Sequence, residues 1–315
     1  MGWLGLEKMK QHWRYVVARY GALPCVWCAA GETTMPYYLS KDKGGDSQRQ
    51  RREWTELAAT IHKIDPFRRP VTLHGAMRVS SRQSVTDASV ADFELLQTGH
   101  GSREVVAATA DLVRGTYRED PPIPVVNGEP AYEHLRGQNN SDACRMIFWS
   151  CLLNGAAGYT YGANGIWQIN RPDQPYGDSP SPSGGWNWGT IPWPEAMKLP
   201  GSKYISLGAN LLREFPWHRC APHREWASWE EPAENEREQP YAAGIPGELR
   251  IIYSLEPKPL LVHGLESNQR YIAMHFDPAT GCRNKLGPVE ADTSGQWRCP
   301  APNRQHDWVL ILQKE

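Results

Sequence analysis

No stretch of this 315-residue chain approaches the roughly 18 consecutive apolar residues that a membrane-spanning helix needs. The opening MGWLGLEKMKQHW also lacks the apolar core of a signal peptide. A soluble chain is expected, with its compartment unread, since an export signal further upstream would place it in the periplasm or outside the cell. Long runs of one charge are absent too: 34 basic and 35 acidic residues leave a formal net charge of -1, which argues against a nucleic-acid groove. The sequence has no GxSxG elbow, and so no recognisable serine-esterase nucleophile. Seven cysteines form no paired CxxC sets, and no histidines fall at metal-ligand spacing, so neither a metal nor another cofactor is expected. The lone CxxC, Cys25 to Cys28, lies in an apolar run that reads as a strand, where residues three apart face opposite sides. Phenylalanine is scarce, at 5, against 14 Trp and 13 Tyr. That bias favours rings with a polar handle, which suit both sugar stacking and ordinary domain interfaces.

What is present is a rhythm. A helical pattern ends at Gly21 and is followed by the apolar run Cys25 to Ala29; a second helix carries Trp54, Leu57, Ala58, Ile61 and Ile64 at helical spacing and stops at Pro66. Short apolar runs follow at 71–74, 95–98, 123–127 and 156–161. Helical patterns lie between them at 102–114 and 142–154, and another closes the series at 202–213. Strand alternating with helix predicts βα units around a parallel sheet. Near 222–239 the composition turns charged and Pro-containing, as in a connection between domains. Beyond it Leu249 to Leu255, Tyr271 to Phe276 and Trp308 to Leu312 predict a small antiparallel sandwich. The expected domains are 1–220 and 221–315.

Parallel βα sheets keep their chemistry at the C-terminal ends of the strands. Two glutamates stand there, each preceded by glycine: Glu32 after CVWCA and Glu129 after IPVVN. Two carboxylates on rigid elements are what glycosidic bond cleavage requires, one giving a proton to the leaving oxygen and one attacking or activating water. His74 and His100 end the second and third apolar runs, placed either to bond a sugar or to serve as structural histidines. Tyr132 and Glu133 follow Glu129 closely, placed either to orient it or touch a ring hydroxyl, or only to cap a helix. Trp167, Trp186, Trp188 and Trp193 crowd one loop, as a stacking platform or as packing against the tail. Trp27 and Tyr161 are candidate walls beside Glu32.

Taken in order, these runs resemble a known family. Trp13-Arg14-Tyr15 to Gly21 with Val26-Trp27 and Gly31-Glu32, then Asp65-Pro66 with Pro70 to His74, then Gln97-Thr98-Gly99-His100-Gly101, resemble the apiosidase-like glycoside hydrolases, family 140 of the retaining clan. Pro124 to Pro130 with Tyr132-Glu133, and Gly155 to Gly162 with Trp167, continue the match. Phe276 to Gly281 and the closing Asp307 to Leu310 resemble the β-sandwich, often labelled collagen-binding, that follows the barrel in these proteins. The resemblance implies a (β/α)8 barrel of which strands four to eight are represented, since the chain begins just before the fourth. It implies Glu32 as acid/base and Glu129 as nucleophile, retention of configuration, and a carbohydrate substrate such as a terminal branched pentose on a plant or bacterial polysaccharide. Gly31 stands where the wider clan has an Asn that contacts the sugar. The competing expectation is a carbohydrate-binding remnant without turnover.

Overall fold

A computed structural model describes residues 4–33, 41–175, 178–179, 186–231, 238–267 and 269–315. The first half runs α1 (Gly5–Tyr20), β1 (Trp27–Cys28), α2 (Lys43–Ile64), β2 (Val71–Thr72), β3 (Glu94–Gln97), α3 (Val106–Tyr117), β4 (Val125–Glu129), α4 (Ser141–Leu153) and β5 (Ala156–Tyr159). Every neighbouring pair is parallel. β1 pairs with β2 and β3-β4-β5 form one ladder, while a bridge from His74 to Leu95 joins the two groups. The five strands therefore lie side by side in chain order, and the loops after them open on one rim.

Local chemistry explains the elements. α1 buries Trp13 and Val17 and ends where Gly21 follows. α2 starts at Lys43, well before Trp54, because the side chain of Asp42 caps it by accepting from the backbone N–H of Gly45 at 2.9 Å. Its first half, KGGDSQRQRRE, is polar and carries no periodicity to read. Trp27 points to the helix side of β1: its indole donates to Asp65 at 2.8 Å and its ring meets Trp13 edge-on. Trp27 is thus a core residue and does not wall Glu32, because alternation along β1 sends it to the opposite face.

A hairpin, β6 (Asp178–Ser179) and β7 (Trp186–Asn187), precedes α5 (Trp193–Ala196) and α6 (Pro200–Leu212). Two antiparallel sheets follow. The larger contains β8 (Ala221–Pro222), β10 (Tyr241–Ile245), β11 (Leu249–Ser254), β13 (Tyr271–Phe276), β14 (Arg283–Pro288) and β16 (Trp308–Lys314), in the order β14-β13-β16-β11-β10-β8. The smaller is β15-β12-β9, from Trp297–Cys299, Leu260–Val262 and Ala227–Trp229. Part of the expected charged connection is therefore strand: Ala221–Pro222 and Ala227–Trp229 are already laddered, and 232–237 lie outside the described residues.

The two halves share a core. Leu96, Val125, Phe148 and Trp149 from the parallel half cluster with Ile252, Tyr253, Phe276 and Trp308 from the sheets. Trp149 stacks on Tyr253 with ring centroids 5.9 Å apart. α1, α2, β1 and β2 keep a separate cluster of their own around Trp13, Trp27 and Trp54.

His275 in β13 is buried, edge-on to Trp308 and 3.5 Å from the Cys299 sulfur. Burial, joined by the positive charge of Arg304, pushes its pKa down to about 4. The unfolded chain takes up a proton near pH 6.5, but the folded one refuses it until about pH 4. Stability from this group is thus present above pH 6.5 and lost as pH falls through that window. Thermal melts from pH 7 to pH 4 are expected to show this slope, and His275→Gln should flatten it.

Candidate active site

Loops stitched across the rim bring Glu32 and Glu129 together. Thr33 donates its backbone N–H to His74 O at 3.0 Å, His74 donates to Ala30 O at 3.0 Å, and the Trp54 indole donates to Thr33 O at 3.0 Å. Between these ties Glu32 takes φ 45, in the left-handed region that non-glycine residues enter only under constraint. Glu129 ends β4, where Thr98 donates its N–H to Glu129 O at 2.9 Å. The preceding Gly128 leaves no room for a side chain: a Cβ there would meet Leu95 Cδ1 at 2.3 Å.

Gln97, at the end of β3, joins the pair. Its Nε2 donates to Glu129 Oε1 at 2.9 Å and to Glu32 Oε1 at 3.4 Å, so those two oxygens lie at most 6.3 Å apart, the sum of the contacts. Two imidazoles complete the surround of Glu129. His74 Nε2 stands 3.4 Å from Oε2 and His100 Nε2 stands 3.3 Å from Oε1. His100 Nδ1 accepts the backbone N–H of Tyr132 at 3.4 Å, which leaves the ring proton on Nε2, toward Glu129.

Tyr132 lies over His100, ring centroids 4.8 Å apart. Burial and the negative charges of Glu129 and then Glu32 push its phenol up to about 12, so it stays a neutral donor beside the carboxylates. A side chain on Gly162 would enter its ring at 2.3 Å, which fixes where that ring can sit. From Tyr132 an aromatic chain runs outward to Trp167 at 5.9 Å and on to Trp188 at 5.9 Å, with the Arg136 guanidinium 4.9 Å from the Trp188 ring. Trp167 is 47% exposed and Trp193 42%. The Trp186 side chain lies outside the described residues.

Glu133 and Tyr161 go elsewhere. Glu133 is buried, and its Oε2 accepts from the Tyr161 hydroxyl at 2.5 Å and from the Gly201 N–H at 2.9 Å. Burial raises the pKa of Glu133, opposed by the Tyr161 bond; burial and then Glu133 raise that of Tyr161. The two form a brace between the loop after β5 and the start of α6. Glu133 Oε2 and the Tyr161 hydroxyl are thus engaged with each other, and neither is hydrogen-bonded to Glu32 or Glu129. Glu133→Ala orphans two donors, and a loss of about 1–3 kcal/mol for each is expected in denaturant unfolding. Sequence reasoning passed over Gln97, which sits inside the Gln97–Gly101 run but neither titrates nor attacks. Among the described residues no group of three His, Cys, Asp or Glu could hold a metal ion, and no helix is long and apolar enough to cross a membrane.

The family described as "Apiosidase-like, catalytic domain" matches residues 2–219, and that described as "Putative collagen-binding domain of a collagenase" matches residues 233–313. No curated protein matches the chain. A solved structure described as a glycoside hydrolase is similar with TM-score 0.79 at 20% identity, over 98% of this chain and 69% of its own. A glycoside hydrolase family 5 protein from Bacteroides vulgatus gives TM-score 0.79 at 20% identity, over 99% of this chain and 67% of its own. At that identity the likeness shows a common fold. With a catalytic-domain family covering well over half its length, the chain belongs to the apiosidase-like glycoside hydrolases.

Proposed function

We propose that the chain cleaves a glycosidic bond with retention of configuration, using Glu129 as nucleophile and Glu32 as acid/base. The observation that carries this reading is the amide of Gln97 touching both carboxylates. A gap of at most 6.3 Å between those oxygens falls below the roughly 6.5–9.5 Å that an inverting pair leaves for water and sits near the roughly 5–5.5 Å of retaining pairs. The division of roles follows from what surrounds each acid. Three side-chain nitrogens gather at Glu129, the setting an anionic nucleophile needs, while Glu32 has a single long contact.

In the first step Glu129 attacks the anomeric carbon while Glu32 gives its proton to the departing oxygen, forming a glycosyl ester. In the second, Glu32 takes a proton from water, the water oxygen attacks the same carbon, and Glu129 leaves as a carboxylate. His74, His100 and Tyr132 are placed to bond ring hydroxyls, and Trp167 offers an exposed face to a flanking residue of a plant or bacterial polysaccharide. The five parallel units then correspond to strands four to eight of a (β/α)8 barrel in residues 1–220. The antiparallel sheets correspond to a β-sandwich in 221–315. Proton NMR of the first-formed product from a panel of p-nitrophenyl pentosides and hexosides tests the reading. Retention is expected; inversion refutes the mechanism, and glycan binding without turnover favours a carbohydrate-binding remnant.

A further inference from the structure

We propose that Gln97 is a positioning residue that holds Glu32 and Glu129 at their working separation and offers an N–H to whichever of the two is charged. The proposal rests on the retaining reading of that pair.

Backbone register puts Gln97 there. In the parallel pairing of β3 with β4, Gln97 stands opposite Glu129, across an irregularity that follows Leu96. The side chain is 6% exposed, so water does not compete for the amide. Its Nε2 carries two hydrogens, one for each carboxylate. The amide oxygen is buried and has no hydrogen-bond partner among the described residues. Turning the amide over would aim that oxygen at two carboxylates, so their charge selects the orientation that leaves it unpaired. Folding alone gives no reason to keep a buried, unsatisfied acceptor, whereas a site that needs a fixed donor between two acids does.

The reaction moves negative charge from one acid to the other. The retaining reading requires Glu129 to be the anion in the free enzyme, and its contact with the amide is the shorter, 2.9 Å against 3.4 Å. Once Glu129 is esterified its charge is gone, and Glu32, having released its proton, becomes the anion with an amide hydrogen already facing it. Of the two carboxylates His74 and His100 stand within 4 Å of Glu129 only, and the Tyr132 phenol feels the charge of both. Among these groups Gln97 is the one hydrogen-bonded to both carboxylates.

Gln97→Leu keeps volume and removes both hydrogen bonds. On the p-nitrophenyl glycoside that the wild-type enzyme hydrolyses fastest, kcat is expected to fall about 10- to 100-fold. The bell of kcat/KM against pH should move to higher pH, because each carboxylate loses a donor to its charged form. A crystal structure of the variant should show the two carboxylates farther apart. Gln97→Met, a second apolar replacement, guards against a packing defect and should move the profile the same way. A pH profile that stays in place, or carboxylates that keep their separation, overturns the proposal. If the wild-type chain hydrolyses none of the panel, the hydrolase reading fails by itself and the separation in the variant crystal decides the role of Gln97.

Discussion

Glu129→Gln is expected to lower kcat/KM on aryl glycosides by at least about a thousandfold, with little change in melting temperature. The amide matches the carboxylate in size, but its carbonyl oxygen is too weak a nucleophile to form the glycosyl ester, and its NH2 must face either the donating Gln97 amide or the imidazole nitrogens within 3.4 Å. Glu32→Gln should behave differently, and the difference separates the two roles. A p-nitrophenolate leaves without much protonation, so the first step survives; the second step lacks its base, and the glycosyl-enzyme accumulates as a burst followed by slow turnover. With a poorer leaving group, such as an alkyl glycoside, both steps suffer and the loss should reach about a hundredfold or more. Equal losses for both variants across leaving groups would refute the assignment of Glu32 as acid/base, and full activity in Glu129→Gln would refute the nucleophile.

That Glu32 and Glu129 share one rim was legible because each follows an apolar run, and in a parallel sheet the residues just past the strand ends face the same side. The approach of His74 and His100 to Glu129 was legible for the same reason, since each lies just past the end of β2 or β3. Less visible were residues defined by what they bond. Glu133 and Tyr161 stand near the carboxylates by type and position, and no spacing in sequence announces the hydroxyl-to-carboxylate bond that joins them. Gln97 was passed over for the opposite reason, being unreactive by type and important by position. The polar opening of α2 is another case: helix there depends on the Asp42 cap and on continuation of the Trp54 to Ile64 stripe, not on a periodicity of its own. In the C-terminal half the longest apolar strands were readable, while β9, β12 and β15, three residues each, are too short to show alternation and exist through their ladders.

The largest stability effect is expected where the two halves meet, at a pair 162 residues apart that no local pattern foretells. α4 presents Arg145 to Asp307, both essentially inaccessible to water. Nε donates to Asp307 Oδ2 at 2.8 Å, Nη2 donates to Oδ1, and the Tyr253 hydroxyl donates to Oδ2 at 2.8 Å. On its other side Arg145 donates to Asp142 at 2.8 Å, and its guanidinium lies 4.6 Å from the Tyr204 ring. Burying these charges is costly, and the two-pronged contact offsets the cost only while both partners remain. Asp307→Ala leaves a guanidinium and a phenol facing an empty site, so a loss of about 3–5 kcal/mol is expected in denaturant unfolding. Arg145→Met combined with Asp307→Leu should recover much of it, because an apolar pair of similar volume can replace a buried ion pair at little net cost. Activity in the double variant should persist at temperatures below its melting point, since neither residue is among the hydrogen-bond partners of Glu32, Glu129 or Gln97. If Asp307→Ala unfolds within about 1 kcal/mol of the wild type, the pair does not fasten α4 to the antiparallel sheets, and the shared core around Trp149 and Tyr253 must hold the halves together without it.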